Sequence, residues 1–284
     1  MILLNLGCGS TYHKDWKNID FISNSEYVQR HNLLKGIPLE ENSVDILYHS
    51  HVLEHFSKED GKKFIQECYR VLKRDGIIRI AVPDFEKIAR EYIKNLESAE
   101  TGDLSGIANY EWITLELFDQ MVRNKSGGLI SSYLSSSFLP NEEYIFKRWG
   151  SEAKMLRGAL LEKENLKIDP AIEKKSKNES GIWKDIRKRI KKQILKIVGN
   201  PMKKYNPEDE DALQIGRFRR SGEIHQWMYD KYSLKKLLSE VGFSKIALKD
   251  GLNSEISNWE KYNLDSIDGK VRKPDSLFME AKKA

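Results

Sequence analysis

The sequence contains only two cysteines, Cys8 and Cys68, among 284 residues. Two cysteines so far apart provide neither a metal-ligand spacing nor a disulfide framework, so we expect a reducing, cytoplasmic environment. The sequence also has no apolar run near the ~18 residues that a membrane-spanning helix requires. Its first residues have no basic region of the kind that begins a secretory signal peptide. We therefore expect a protein that is soluble or peripheral at the inner face of a membrane.

The sequence has few apolar residues for its length, with 39% hydrophobic and 32% charged residues. This composition excludes a membrane domain and predicts that part of the chain is an exposed helical element. The net charge of +5 is unevenly distributed, because residues 174–204 contain 12 Lys or Arg and only Glu179 and Asp185 as acidic residues. The rest of the chain has 36 basic and 41 acidic residues, so a basic segment is attached to an acidic body.

The segment 3–10 places a short apolar run directly before Gly7-Cys8-Gly9. This order predicts a buried strand ending in a tight turn, where glycines let backbone N–H groups approach a ligand. The third glycine of the dinucleotide-binding pattern G-x-G-x-x-G is replaced by Tyr12, so a dinucleotide site is not predicted. Asp20 ends a second predicted strand, where a carboxylate can accept hydrogen bonds from ribose hydroxyls.

The glycine loop and Asn18-Ile19-Asp20 together resemble the first two motifs of the class I S-adenosylmethionine (SAM)-dependent methyltransferases. Further segments extend the resemblance to the methyltransferase type 11 pattern; these are 31–33, 37–39, 43–48 and 50–56. The resemblance covers residues 1–97 well and residues 223–284 moderately. It implies an α/β fold with a Rossmann-like, doubly wound, mostly parallel seven-stranded sheet, and SAM as the cofactor.

The resemblance also implies a cofactor site. The loop backbone would meet the methionine and ribose parts, Asp20 would bind the ribose, Phe21 would flank the adenine, and Asn32 and Leu33 would cover the base edge. Asn32 stands where relatives usually carry Asp, but its amide oxygen can still accept a bond from the adenine amino group. The predicted cofactor-binding residues are Asn5, Leu6, Gly7, Cys8, Gly9, Asp20, Phe21, Asn32, Leu33, Ser50 and His51.

The order of patterns along the chain predicts two domains. Strands are predicted at 2–6, 17–21, 44–49 and 77–82, with one helix from an N-cap at Ser57 to a stop at Gly76 and another over 86–96. The pattern resumes with a helix from an N-cap at Ser233 to Gly242, and with strands at 243–248 and 276–280 that the resemblance makes an antiparallel pair. We therefore predict a SAM-binding domain of residues 1–98 plus 223–284, and a mainly helical insert or lid of residues 99–222.

Candidate catalytic residues follow the strand at 44–49, at the sheet edge where α/β proteins place their chemistry. His51, Glu54 and His55 lie there, and His225 is a candidate from the C-terminal half. Methyl transfer needs alignment of acceptor and methyl group and a base for the acceptor proton, a role that histidine suits. As an alternative, His51 packs on the cofactor, Glu54 and His55 orient a helix start, and His225 is structural.

No metal is predicted, although one alternative stays open. A few methyltransferase families with Glu-x-x-Glu-His at this position hold a divalent metal, and the matching residues here would be His51, Glu54, His55 and His225. A histidine in the first position favours softer ions than Mg²⁺.

Residues 182–198 have the pattern of a basic amphipathic helix. Such a helix can bind an anionic membrane surface or pack its apolar face on protein, and nucleic acid is an unlikely partner because no RNA-binding module accompanies it. Five aromatic residues are candidates for a flat platform that binds sugars; these are Tyr110, Trp112, Trp149, Trp227 and Tyr229.

The predicted function is transfer of a methyl group from SAM to an oxygen of a small molecule or of a carbohydrate or lipid-linked glycan. Bacterial relatives of this type often belong to polysaccharide biosynthesis, which suggests the glycan. Two alternatives are a SAM-binding regulatory protein without turnover and a nucleic-acid methyltransferase. The oligomeric state is left open.

Overall fold

The computed structural model of the chain describes residues 1–23, 25–168 and 207–284. The basic amphipathic helix predicted over 182–198 lies outside these residues, so its partner stays a prediction. Within the described ranges, no helix combines the length and apolar character that crossing a bilayer requires.

The described part of the chain contains a seven-stranded sheet with the strand order β3-β2-β1-β4-β5-β9-β6. Its strands are β1 (Leu3–Leu6), β2 (Lys17–Asp20), β3 (Val28–Arg30), β4 (Val44–Ser50), β5 (Leu72–Pro83), β6 (Phe243–Lys249) and β9 (Ser276–Lys283). Strands β1 to β5 are mutually parallel, and β9 runs antiparallel to both β5 and β6. A small separate hairpin pairs β7 (Ser266–Ile267) with β8 (Lys270–Val271). The predicted α/β class, the seven-stranded sheet and its antiparallel closing pair are confirmed.

Seven helices are described: α1 (Lys58–Val71), α2 (Phe85–Glu100), α3 (Leu104–Val122), α4 (Gly128–Leu134), α5 (Glu142–Ile168), α6 (Pro207–Arg219) and α7 (Lys231–Val241). Helix α1 begins where predicted, because the Ser57 hydroxyl accepts a hydrogen bond from the Asp60 N–H. Its apolar positions Phe64, Ile65 and Cys68 are buried, as their helical spacing predicted.

The side chains of β1 alternate between two cores, as expected for a strand with helices or loops on both faces. Leu4 and Leu6 belong to the main core, which also contains buried residues of α1 and α7. Leu3 belongs to a second, aromatic core that includes Trp16, Tyr48, Trp259 and Tyr262. A third core lies within the helical segment 104–168 and is centred on the fully buried Trp112.

Two predicted helix boundaries were wrong. Helix α1 ends at Val71 rather than near Gly76, because Leu72 has extended backbone and pairs with Val44 of the neighbouring strand. Gly76 therefore lies inside β5. Helix α7 is capped by Asp230, with Ser233 at the third helical position, where the two residues form a reciprocal capping box.

The predicted aromatic platform does not form. Trp112 and Trp149 pack on each other within the third core, with ring centroids 5.0 Å apart. Tyr229 is buried in the main core, whereas Trp227 is 38% exposed. These aromatic rings therefore lie in two separate cores and at the surface, so they do not form one flat binding surface.

Helix α5 is interrupted at Gly150, which has φ 64° and ψ −139°. A Cβ atom at this position would lie 2.5 Å from the carbonyl oxygen of Arg272 and 2.8 Å from Cδ of Pro274. The absence of a side chain therefore lets the broken helix approach the loop that precedes β9, and this contact closes one side of the site described next.

Candidate active site

The glycine loop follows β1 and is shaped by two residues with left-handed backbone, Gly7 at φ 61° and Gly9 at φ 52°. A Cβ atom on Gly7 would lie 2.3 Å from Cγ2 of Val52, so this position admits no side chain without movement. A Cβ atom on Gly9 would meet nothing within 4 Å, which leaves the backbone at Gly9 open to a ligand.

Asp20 lies at the end of β2 and faces the same loop. One carboxylate oxygen accepts a hydrogen bond from the Gly9 N–H at 2.8 Å, and the other accepts one from the Ile22 N–H at 3.0 Å. Each carboxylate oxygen can accept a further bond, so the side chain is held in place and still has acceptor capacity for a ligand.

A first cavity of about 350 Å³ joins these features. Its lining includes the predicted residues Gly7, Asp20, Phe21, Asn32, Leu33 and His51. The Asn32 side-chain oxygen accepts a hydrogen bond from the Leu34 N–H at 3.0 Å, capping a single 3-10 turn over Leu33–Lys35, and it keeps one free lone pair. This cavity fits the adenosine part of SAM, because it has the open glycine backbone on one edge and the Asp20 carboxylate to accept hydrogen bonds from the ribose.

A second cavity of about 260 Å³ also borders the glycine loop. Its lining includes Asn5, Cys8, Gly9, Ser50 and His51 from the predicted set. Burial raises the pKa of the Cys8 thiol to about 12, so this cysteine stays protonated at neutral pH.

Leu6 is the exception among the predicted cofactor residues. Its side chain is fully buried in the main core and is not part of the lining of either cavity. Asn5 lines the second cavity, but most of its side chain is buried. Its amide donates hydrogen bonds to the Thr11 carbonyl oxygen and to the Asn18 side chain, and these bonds support the glycine loop.

His51 follows β4 directly and has φ 54°, an uncommon backbone conformation for a residue with a side chain. Its Nε2 atom lies 2.8 Å from the Ser276 hydroxyl of β9. His51 lines both cavities and also a third, smaller one beneath the segment 104–168. Burial lowers the pKa of this imidazole well below its ordinary value, so the ring is neutral at physiological pH.

The candidate residues Glu54, His55 and His225 come together next to His51, beyond the end of β4. Glu54 is fully buried, and its Oε1 atom lies 3.4 Å from Nδ1 of His51 and 3.9 Å from Nε2 of His55. The imidazole rings of His55 and His225 meet edge to face with their centroids 4.9 Å apart. Burial raises the pKa of Glu54 to about 8 and lowers the pKa values of both histidines.

The third cavity brings in residues that the sequence patterns did not indicate. These are Glu116, Glu152, Lys273 and Asp275, which line it together with the candidate Trp149. Burial, with the Glu116 carboxylate as a second cause, raises the pKa of Asp275 to about 7. The one sequence sign of this region was Gly150 inside a helical pattern, because an isolated glycine there often marks a packing requirement.

Comparison with known proteins agrees with the resemblance in the motifs. Residues 12–80 match the family model described as a methyltransferase domain. A segment of 55 residues is 36% identical to a protein of Mycolicibacterium smegmatis named as an S-adenosylmethionine-dependent methyltransferase, and it covers 19% of this chain. The chain spans about a fifth (21%) of the length of that relative.

Solved structures with distant similarity include two SAM-dependent methyltransferases. The protein from Archaeoglobus fulgidus is 12% identical over 99% of this chain and 85% of its own, with a TM-score of 0.37. The protein from Thermotoga maritima is 11% identical over 100% of this chain and 82% of its own, with a TM-score of 0.38.

The strand order and the glycine-loop site are those of a Rossmann-like α/β protein. The matched methyltransferase domain at 12–80 agrees with the resemblance to the class I SAM-dependent methyltransferases, and SAM is the cofactor that such a domain implies.

Proposed function

We propose that this protein transfers a methyl group from SAM to an oxygen atom of a small molecule or of a carbohydrate, including a lipid-linked glycan. The observation that supports this most strongly is that three cavities meet at one residue, His51. Two of them border the glycine loop, and the third lies against the segment 104–168. This arrangement provides separate room for a cofactor and for an acceptor, with a neutral imidazole between them.

The residues that would hold the cofactor belong to the first two cavities. Asp20 would accept hydrogen bonds from the ribose, the open backbone at Gly9 would lie against it, and Asn32 would accept a bond from the adenine. When bound, SAM supplies an electrophilic methyl group on a sulfonium centre. The other task of the protein is to align the acceptor with that group and to exclude competing reactions.

His51 would accept the proton of the acceptor hydroxyl. Its ring is neutral because burial lowers its pKa, so one ring nitrogen carries a lone pair, and the contact of Nε2 with the Ser276 hydroxyl holds the ring in place. A base positioned within hydrogen-bond reach typically contributes about 10²–10⁴-fold to a proton-transfer step. Glu54, His55 and His225 are proposed to act from behind His51 rather than on the acceptor directly.

The third cavity favours a hydroxyl-rich acceptor. Carboxyl, amide and ammonium groups of Glu116, Gln120, Glu152 and Lys273 line it beside the Trp149 ring. Several hydrogen-bonding groups around an aromatic surface suit a polar ligand such as a sugar better than an apolar one. For a lipid-linked acceptor, we propose that residues 182–198 attach the protein to the inner face of an anionic membrane.

The test is incubation of the full chain with methyl-labelled SAM and fractionated carbohydrate or small-molecule extracts, followed by mass spectrometry. We expect one product that has gained the mass of a methylene group. His51→Gln should lower turnover by about 100-fold or more, whereas His13→Ala, a histidine outside the three cavities, should match the wild type. SAM binding without any labelled product in extracts of every class would contradict the proposal and favour a regulatory protein.

A further inference from the structure

Glu54, His55 and His225 form a cluster whose metal-ligating atoms all lie within 4.8 Å of one another. Two imidazoles and one carboxylate are the donor set of many catalytic zinc sites, in which a fourth position is left to water or substrate. Glu54 and His55 are adjacent in the turn Leu53–His55, and His225 comes from a distant part of the chain. The Gln226 N–H donates to the Glu54 carbonyl oxygen at 2.7 Å, and this contact fixes the segment of His225 against the turn that carries the other two residues.

Glu54 provides an independent sign of a missing ligand. Its side chain is fully buried, and neither carboxylate oxygen has a hydrogen-bond partner within the described part of the chain. Buried carboxylates are normally paired, hydrogen-bonded or bound to a metal, because removing one from water without compensation is strongly unfavourable. The His51 Nδ1 atom, at 3.4 Å, is too far away to provide a normal hydrogen bond.

The tautomer of His55 matches that of a metal ligand. Its Nδ1 atom lies 3.1 Å from the Ile224 carbonyl oxygen, which can only accept a hydrogen bond, so Nδ1 carries the proton. The lone pair is therefore on Nε2, which faces the Glu54 carboxylate at 3.9 Å. Metal-binding histidines almost always donate the other ring N–H to a carbonyl or carboxylate in this way.

We propose that Glu54, His55 and His225 bind one divalent transition-metal ion of the Zn²⁺ class. Two ligands about 2.1 Å from a tetrahedral zinc ion are about 3.4 Å apart. The observed separations of up to 4.8 Å therefore require the side chains to close around the ion by up to about 1.4 Å. His55, whose side chain is 27% exposed, borders the first cavity and gives the ion a path to the cluster. Nitrogen donors favour transition metals over Mg²⁺ or Ca²⁺.

The position of the cluster suggests a role for the ion, and this part of the inference depends on the proposed function. His51, which borders all three cavities, lies next to Glu54. An ion bound by the cluster would fix Glu54 and so support the position of His51 from behind during methyl transfer.

The experiment titrates Zn²⁺ and Co²⁺ into the chelator-treated full chain, with calorimetry for both ions and visible absorption for Co²⁺. We expect one equivalent of each ion and a Co²⁺ spectrum of a site with nitrogen ligands. Glu54→Gln and His225→Ala should each weaken binding at least tenfold, and His13→Ala should leave it unchanged. Melting curves and SAM calorimetry show whether each variant is folded. If one of the two variants does not fold, His55→Ala takes its place, because His55 is partly exposed.

Absence of stoichiometric binding to the wild type, or equal binding to the three cluster variants, would overturn the inference. A metal-loaded protein without any transferase activity would contradict the proposed function and leave the metal site intact. Mg²⁺ or Ca²⁺ binding in place of Zn²⁺ and Co²⁺ would also contradict the inference, because that preference would require an oxygen-rich site.

Discussion

The two halves of the candidate site are built differently. The cofactor half is built on neighbouring strand ends within residues 1–57, and residues of 151–155, 219–226 and 264–278 complete the lining of its two cavities. Its carboxylate is held by the backbone, because Asp20 accepts hydrogen bonds from two backbone N–H groups. The acceptor half is assembled from segments near residues 54, 150, 225 and 275, and it contains the Glu54 carboxylate, which has no hydrogen-bond partner among the residues that the structure describes. The first half is thus organised by the backbone, and the second by tertiary packing of charged and polar side chains.

This difference indicates which changes each half tolerates. A backbone-built site is sensitive to an atom added at a glycine that has close neighbours, such as Gly7, and depends on few side chains, such as Asp20. A packing-built site depends on the contacts that bring distant segments together. The predictions below test this distinction, beginning with the largest expected effect.

Gly7→Ala is expected to have the largest effect on the cofactor half. The new Cβ would lie 2.3 Å from Val52 and would occupy left-handed backbone at φ 61°. We expect the free energy of unfolding to fall by about 2–4 kcal/mol and SAM binding to be lost. Chemical denaturation and calorimetry provide the two measurements.

Gly9→Ala is the matched control for that substitution. Its φ of 52° is similar, but a Cβ there meets nothing within 4 Å. Only the backbone penalty of about 1–2 kcal/mol should remain, and the protein should stay folded. Equal losses of stability in the two variants would show that the contact with Val52 does not shape the loop.

Gly150→Ala addresses the acceptor half, where the substitution would force the kink of α5 away from Arg272 and Pro274. We expect a loss of about 2 kcal/mol in the free energy of unfolding and a large fall in turnover, with SAM affinity reduced less than in Gly7→Ala.

Gly158→Ala on the same helix is its control, because a Cβ there meets nothing within 4 Å. This exposed position should gain up to about 1 kcal/mol in helix stability. If Gly150→Ala behaved like Gly158→Ala, the contact between α5 and the loop before β9 would not be what closes the site.

Cys8 should show the smallest effect. It lies in the glycine loop, but burial raises the pKa of its thiol to about 12. A raised thiol pKa keeps the reactive thiolate scarce below that pH, so iodoacetamide should leave Cys8 unmodified from about pH 6 to 9 in the folded protein. Mass spectrometry of tryptic peptides measures the modification, with the urea-unfolded chain as the reactive control. Rapid alkylation of the folded protein would contradict a buried thiol whose pKa is raised.

The same distinction explains what the sequence could predict. The glycine loop, Asp20 and the strand ends are local patterns, so the sheet and most of the cofactor lining followed from the order of residues. The third cavity could not be predicted, because Glu116, Lys273 and Asp275 become neighbours only through folding. The boundary at Gly76 was wrong because pairing of Leu72 with Val44 outweighs the local helix-stop pattern.

Isothermal titration of SAM into the wild type and Asp20→Ala tests the central claim most directly, with S-adenosylhomocysteine as competitor and Asp15→Ala as a surface control. We predict saturable binding that S-adenosylhomocysteine displaces, a loss of about 10- to 100-fold in affinity for Asp20→Ala, and no change for Asp15→Ala. Equal affinity in the wild type and Asp20→Ala, or no binding to the folded wild type, would contradict a cofactor held between the glycine loop and this carboxylate.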